Sequence, residues 1–206
     1  MTGASIAALN VYDMVKPVDP EAAIGHVRVL KKTGGRGQFR DQFDRAVRAG
    51  ILVVSDSVSA GTSEDRAGAA VRVALEKHGV EVPVFDVVPD EPEQIASAVR
   101  SWVDEQSMDL IFAVGGTGLG PRDHTPEAIK PLLDREVPGL AEAIRSHGMD
   151  RTPYAALSRS VAGQRGTSLV FALPGSTRGA SESMDALMPW VLHIIKVFDK
   201  SFRHGE

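Results

Sequence analysis

The residues best suited to chemistry form one run, Val114-Gly115-Gly116-Thr117-Gly118-Leu119-Gly120-Pro121-Arg122-Asp123-His124-Thr125-Pro126-Glu127. An apolar stretch ends there in glycines and a threonine. Glycine lets the backbone approach a phosphate closely, and successive N–H groups can form an anion-binding nest. A helix starting near Pro126 would turn its positive end towards the same place. Asp123 adds a carboxylate, a suitable ligand for Mg²⁺ beside phosphates. The run is not a Walker A loop, because no Gly-Lys-Ser/Thr follows at the required spacing, and it is not G-x-G-x-x-G. Its composition suits a plain tight turn equally well, and the residues alone leave both readings open.

Three other groups share the position after an apolar stretch. In Pro89-Asp90-Glu91-Pro92-Glu93, Asp90 with Glu93 three residues on reads as a capping box. The same carboxylate could instead point into a crevice shared with Asp123, although on its own pattern capping is the stronger reading. Pro174-Gly175-Ser176-Thr177-Arg178 suits a second anion site, with Ser176 and helical N–H groups as donors and Arg178 as a charge partner. It equally describes a strand-to-helix turn with a serine cap. Ser55-Asp56-Ser57 reads first as loop hydrogen bonding. The histidines at 26, 78, 124, 147, 193 and 204 are scattered without zinc-ligand spacing and read as surface or packing residues. Trp102 and Trp190 lie on helical patterns and are expected in the core.

The elements that must position these groups alternate in type. Strands are predicted at Ile51–Ser55, Val80–Val88, Asp109–Val114 and Leu169–Leu173. Helices are predicted over about 64–78, 91–106, from Thr125-Pro126, over Gly139–His147, and over about 179–199. Strands separated by helices imply βαβ units, hence an α/β fold of three layers with a mostly parallel sheet and helices on both faces. Ligands of such sheets sit at the carboxyl ends of the strands, where the groups above collect. Before this domain comes a short helix at 5–16 with Ser5 as a possible cap, ended by Pro17, then a strand-like stretch from Ile24 to Leu30. The basic, glycine-rich stretch from Lys31 to Gly37 reads as a linker, which divides the chain into 1–40 and 41–206.

Composition narrows the function classes. The net charge of −4 disfavours general nucleic-acid binding, which needs a basic surface. The first 50 residues carry eight Lys/Arg and five Asp/Glu, a mild contrast with the acidic remainder. Cysteine is absent, which excludes disulfides, thiolate metal sites and cysteine nucleophiles. The N-terminus has no signal-peptide pattern, and no stretch approaches the roughly 20 apolar residues that span a bilayer. A cytoplasmic protein that does not bind membranes is the expectation.

Taken in order, Ser55-Asp56-Ser57, Pro89-Asp90-Glu91, GGTGLGPRDHTPEA, Glu136-Val137-Pro138-Gly139-Leu140, Ala156-Leu157-Ser158-Arg159 and Leu173-Pro174-Gly175-Ser176 resemble the MogA/MoaB family of molybdenum cofactor biosynthesis over about 48–200. The resemblance implies a Mg²⁺-dependent adenylylation of molybdopterin by ATP, with release of pyrophosphate. It assigns Asp90 and Asp123 as catalytic, Mg²⁺-holding carboxylates and Gly115, Gly116, Thr117 and Gly118 as the nucleotide-phosphate loop. Ser55, Asp56, Pro174, Gly175 and Ser176 fall to molybdopterin. A homotrimer or homohexamer is implied, with other molybdenum cofactor enzymes as possible partners. Rival readings are a molybdopterin-binding module without turnover, a scaffold, and another nucleotide-dependent enzyme on the same fold.

The start of the chain resembles a different family. Ala7-Ala8-Leu9-Asn10-Val11-Tyr12-Asp13-Met14-Val15-Lys16, with IGHVRVLKKTGG after it, is similar to the C-terminal end of MoaC, the cyclic pyranopterin monophosphate synthase. Asp13 and Lys16 match two of that family's catalytic residues, while its other catalytic Lys, His and Glu positions are not found in this sequence. A MoaC/MoaB fusion is the arrangement this implies.

Overall fold

Period-two burial explains the centre of the molecule. In β1 (Arg48–Val54) and β3 (Leu110–Val114), Ile51, Val53, Leu110, Phe112 and Val114 join one buried cluster, while Leu52, Val54, Ile111 and Ala113 join another. Successive strand side chains point to opposite faces, so strands apolar on every residue must be covered on both. The computed structural model, which describes residues 2–25, 27 and 43–199, shows that cover.

The sheet has six strands in the order β2-β1-β3-β6-β5-β4, with β2 at Glu81–Val88, β4 at Arg135–Glu136, β5 at Val161–Arg165 and β6 at Ser168–Leu173. The first four are parallel, and β5 and β4 continue the sheet antiparallel. One face packs against α3 (Ala67–Lys77), α6 (Pro138–Met149), α7 (Thr177–Leu187) and α8 (His193–Phe198). The other packs against α4 (Pro92–Asp104) and α5 (Thr125–Ile129). The result is the expected three-layer α/β architecture. Phe112 and Phe171 stack in register across β3 and β6, with ring centroids 4.8 Å apart. This fixes the two central strands whose carboxyl ends carry the glycine loop and Pro174.

The predicted elements need several corrections. The antiparallel pair β4–β5 was not predicted: β4 is only two exposed residues, and β5 runs into the polar Gln164 and Arg165. The helix expected over 64–78 begins only at Ala67, because Asp65 turns back to accept from Gly68 N at 2.9 Å and Ala69 N at 3.2 Å. The final helical region is broken after Leu187; Pro189, which has no N–H to donate, precedes a short 3-10 turn and α8. Trp102 is buried, but Trp190 is 37% exposed, its indole N–H spent on Ala186 O, which corrects its core assignment.

The chain divides into two compact units, Met1–Gln38 and Phe39–Glu206. In the first, α1 spans Thr2–Val15, so Ser5 lies within the helix rather than capping it. Asp13 and Lys16 pair at 2.7 Å on its exposed surface. The strand-like stretch towards Leu30 and the Lys31–Gly37 linker lie largely outside the described residues. No helix among the described residues is long and apolar enough to cross a membrane.

Candidate active site

The glycine loop is shaped by two consecutive left-handed residues. Gly115 has φ +122° and Gly116 has φ +61°. A Cβ on Gly115 would stand 2.0 Å from Val54 O, so only glycine lets β3 leave the sheet this close to β1. A Cβ on Gly175 would stand 3.0 Å from Gly115 Cα, so the loops after β3 and β6 also touch through their backbones.

Those touching loops separate two clefts. The first, of about 570 Å³, is lined by Ser55, Asp90, Gly115, Gly116, Asp123 and Gly175, and extends to Ser63–Arg66 at the start of α3. The second, of about 440 Å³, is lined by Thr117, Gly118, Arg145, Tyr154, Pro174 and Ser176 among others. Gly175 borders both. Asp90 and Asp123 therefore share one cleft, and the predicted loop straddles the wall.

Asp90 is not the cap of α4. The N-cap is Glu91, without a side-chain cap hydrogen bond. Asp90 is instead locked to the loop after β1: Asp56 N donates to Asp90 Oδ2 at 3.1 Å, and Asp90 N donates to Asp56 Oδ1 at 3.0 Å. Only 8% exposed, Asp90 has its pKa raised by burial; the Asp56 N–H opposes this, while the charges of Asp56 and Asp123 add to it. Asp123 accepts from Gly120 N at 2.7 Å, which folds the loop back on itself.

The residues assigned to molybdopterin do not gather in one place. Ser55 lies in the acidic cleft and caps the short α2 (Asp56–Ser59). Ser176 lies in the other cleft and caps α7, accepting from Gly179 N at 3.2 Å. Asp56 lines neither. Arg122 holds its carboxylate, with Nε donating to Oδ2 and Nη2 to Oδ1, both at 3.0 Å. Arg122 Nη2 also donates to Glu91 at 2.8 Å, so one guanidinium ties together the loops after β1, β2 and β3. The Asp56 pKa is lowered, first by Arg122 and then by the Asp90 N–H. The helix after the loop, α5, has five residues and begins without a side-chain cap, so its dipole contributes little.

Two further residues shape the loop. Arg159 donates from Nε to Gly118 O and from Nη2 to Asp123 O, both at 2.6 Å, and pairs with Glu127. Its own N–H donates to Thr117 O at 3.0 Å. Arg122 and Arg159 were visible only as members of motifs; nothing in their local sequence says which carbonyls or carboxylates they reach. Among the described residues no group of three or more His, Asp or Glu forms a complete cation cage. Two carboxylates in one cleft do suit Mg²⁺, which takes one or two carboxylates and fills its remaining positions with phosphate and water.

A doubly covered, mostly parallel sheet with clefts at its strand ends defines a class of α/β proteins whose ligands bind at the carboxyl ends of the strands. Comparison with known proteins narrows it. Residues 50–193 match the family described as probable molybdopterin binding domain, and residues 1–35 match the MoaC family. A molybdenum cofactor biosynthesis bifunctional protein of Chlorobaculum tepidum is 39% identical over 193 residues, covering 94% of this chain but only 61% of that one. Molybdenum cofactor biosynthesis protein B of Staphylococcus aureus is 38% identical over 164 residues, covering 77% of this chain and 96% of its own. The crystal structure of the molybdopterin biosynthesis enzyme MoaB from Thermus thermophilus aligns with a TM-score of 0.71 and 49% identity, over 74% of this chain and 96% of that one. The chain belongs to the MogA/MoaB-like molybdopterin-binding domain family, and its first 35 residues carry a MoaC match.

Proposed function

We propose that this chain adenylylates molybdopterin, using ATP and Mg²⁺ and releasing pyrophosphate. The observation that carries the reading is the meeting of Asp90 and Asp123 in the cleft walled by the left-handed Gly115-Gly116 turn. The acidic cleft takes the nucleotide, whose phosphates lie against loop N–H groups where no side chain intervenes. The second cleft takes the pterin, with Ser176 and the backbone of Pro174-Gly175 on its wall. Because Gly175 borders both clefts, a phosphate at the end of the pterin and the α-phosphate of ATP can meet there, and holding them together is the larger part of the catalysis. Asp90 and Asp123 would hold the cation, which when bound would supply charge neutralisation for the phosphate transfer. No protein nucleophile is required.

The decisive experiment incubates the purified chain with molybdopterin, ATP and Mg²⁺ and follows adenylylated product by mass spectrometry. Product absent from the wild type, with molybdopterin still bound, would favour a binding module without turnover. The MoaC match at 1–35 and the bifunctional relatives support a second component, in which this chain represents part of a MoaC/MoaB fusion. A cytoplasmic homotrimer or homohexamer, working with other molybdenum cofactor enzymes, completes the proposal; sedimentation analysis tests the assembly.

A further inference from the structure

Thr125 is fully buried, and its Oγ1 is a buried side-chain oxygen without a hydrogen-bond partner among the described residues. An unpaired buried hydroxyl is destabilising, so its retention at a site calls for a physical reason. Its backbone is well placed: Thr125 N donates to Gly116 O at 3.1 Å and presses the start of α5 against the glycine loop.

The direction of the hydroxyl supplies the reason. A Cβ on Gly116 would stand 2.3 Å from Thr125 Oγ1 and 2.8 Å from Asp90 Oδ1. Both oxygens thus face the same side of Gly116, separated by no more than one bridging water spans. Asp90 has its other oxygen, Oδ2, committed to Asp56 N, whereas Oδ1 accepts no hydrogen bond among the described residues. A carboxylate pinned at one oxygen can still rotate about its last bond. A donor at the second oxygen would remove that freedom. Any side chain at 116 would stand between the two groups, which adds to the backbone reason for glycine there.

We propose that Thr125 is a positioning residue: its hydroxyl, unpaired in this structure, donates to Asp90 Oδ1 once a cation on the nucleotide phosphates draws that carboxylate round, and holds the carboxylate in that rotation. The assignment rests on the nucleotide reading of the acidic cleft. It separates two consequences that a packing role would join. Thr125→Val keeps the shape and deletes the unpaired oxygen, so its thermal midpoint should equal or exceed that of the wild type. Its affinity for the cation should nevertheless fall, by about tenfold, the low end of what one hydrogen bond to a charged group is worth.

The test titrates Mn²⁺ into the full chain with and without ATP, followed by electron paramagnetic resonance, alongside thermal melts of wild type, Thr125→Val and Thr125→Ser. The expected result is weaker Mn²⁺ binding in Thr125→Val at undiminished stability, with recovery in Thr125→Ser. In turnover assays kcat should fall while KM for the pterin stays unchanged, because the pterin cleft is not touched. Equal Mn²⁺ binding in wild type and Thr125→Val overturns the role of Thr125 and leaves the nucleotide reading standing. Lowered stability together with lowered binding, unrescued by serine, makes Thr125 a packing residue and also overturns it. No Mn²⁺ binding by the wild type removes the nucleotide reading itself, and this assignment with it.

Discussion

At the scale of single residues, Asp90 is a group whose ionisation the fold opposes. Asp90 is buried beside Asp56 and Asp123, so its folded pKa lies above its unfolded one. The folded chain then holds that proton longer, and the stability this represents is present below the ordinary carboxylate range and lost as pH rises through the raised value. Asp90→Asn keeps an acceptor for Asp56 N and removes the charge. It should melt at or above the wild-type temperature at neutral pH and lose less stability between acid and neutral pH, in melts recorded across that range. Asp90→Asn and Asp123→Asn should each cut turnover strongly while pterin binding persists; unchanged rates in both would remove the metal-site assignment. Gly116→Val should abolish ATP binding in calorimetry, since a side chain there meets Thr125 and Asp90 and the residue has positive φ.

Elements matter here chiefly through what joins their ends. Arg122 connects the loops after β1, β2 and β3, and Arg159 straps the glycine loop through two carbonyls. Arg159→Lys keeps the charge but cannot reproduce a planar fork reaching Gly118 O, Asp123 O and Glu127 together. Weaker ATP binding with little change in the far-ultraviolet dichroism is expected; wild-type affinity would show that the loop holds its shape without the strap. The strands themselves depend on core packing. Phe112→Ala removes one ring of the stacked pair across β3 and β6 and should cost about 3–5 kcal/mol in denaturant unfolding. Pattern alone was enough to find β1, β3 and β6, because their runs 51–54, 110–114 and 169–173 are apolar at every residue and buried. It missed β4 and β5, whose exposed or polar residues resemble loop until an edge of the sheet receives them.

For the whole molecule, the two units make a separable prediction. The proposed catalytic groups all lie within Phe39–Glu206, and Arg45, which holds Asp109 through two hydrogen bonds, lies there too. A chain of residues 41–206 should therefore adenylylate molybdopterin at close to the full rate, in side-by-side assays. Loss of activity or of assembly on truncation would show that the first unit has become part of the enzyme. The sequence by itself determined the three-layer α/β class, the family, and the placing of Asp90, Asp123 and the glycine loop at strand ends. These depend on local periodicity and on motifs contiguous in the chain. Tertiary structure alone decided that Asp90 is bound to Asp56 rather than capping α4, that Asp56 is taken by Arg122, and that Ser55 and Ser176 face different clefts. Those outcomes turn on contacts between loops far apart in the chain, 34 residues for Asp56 with Asp90 and 66 for Asp56 with Arg122. A side chain's partner across such a distance is set by where the sheet delivers each loop.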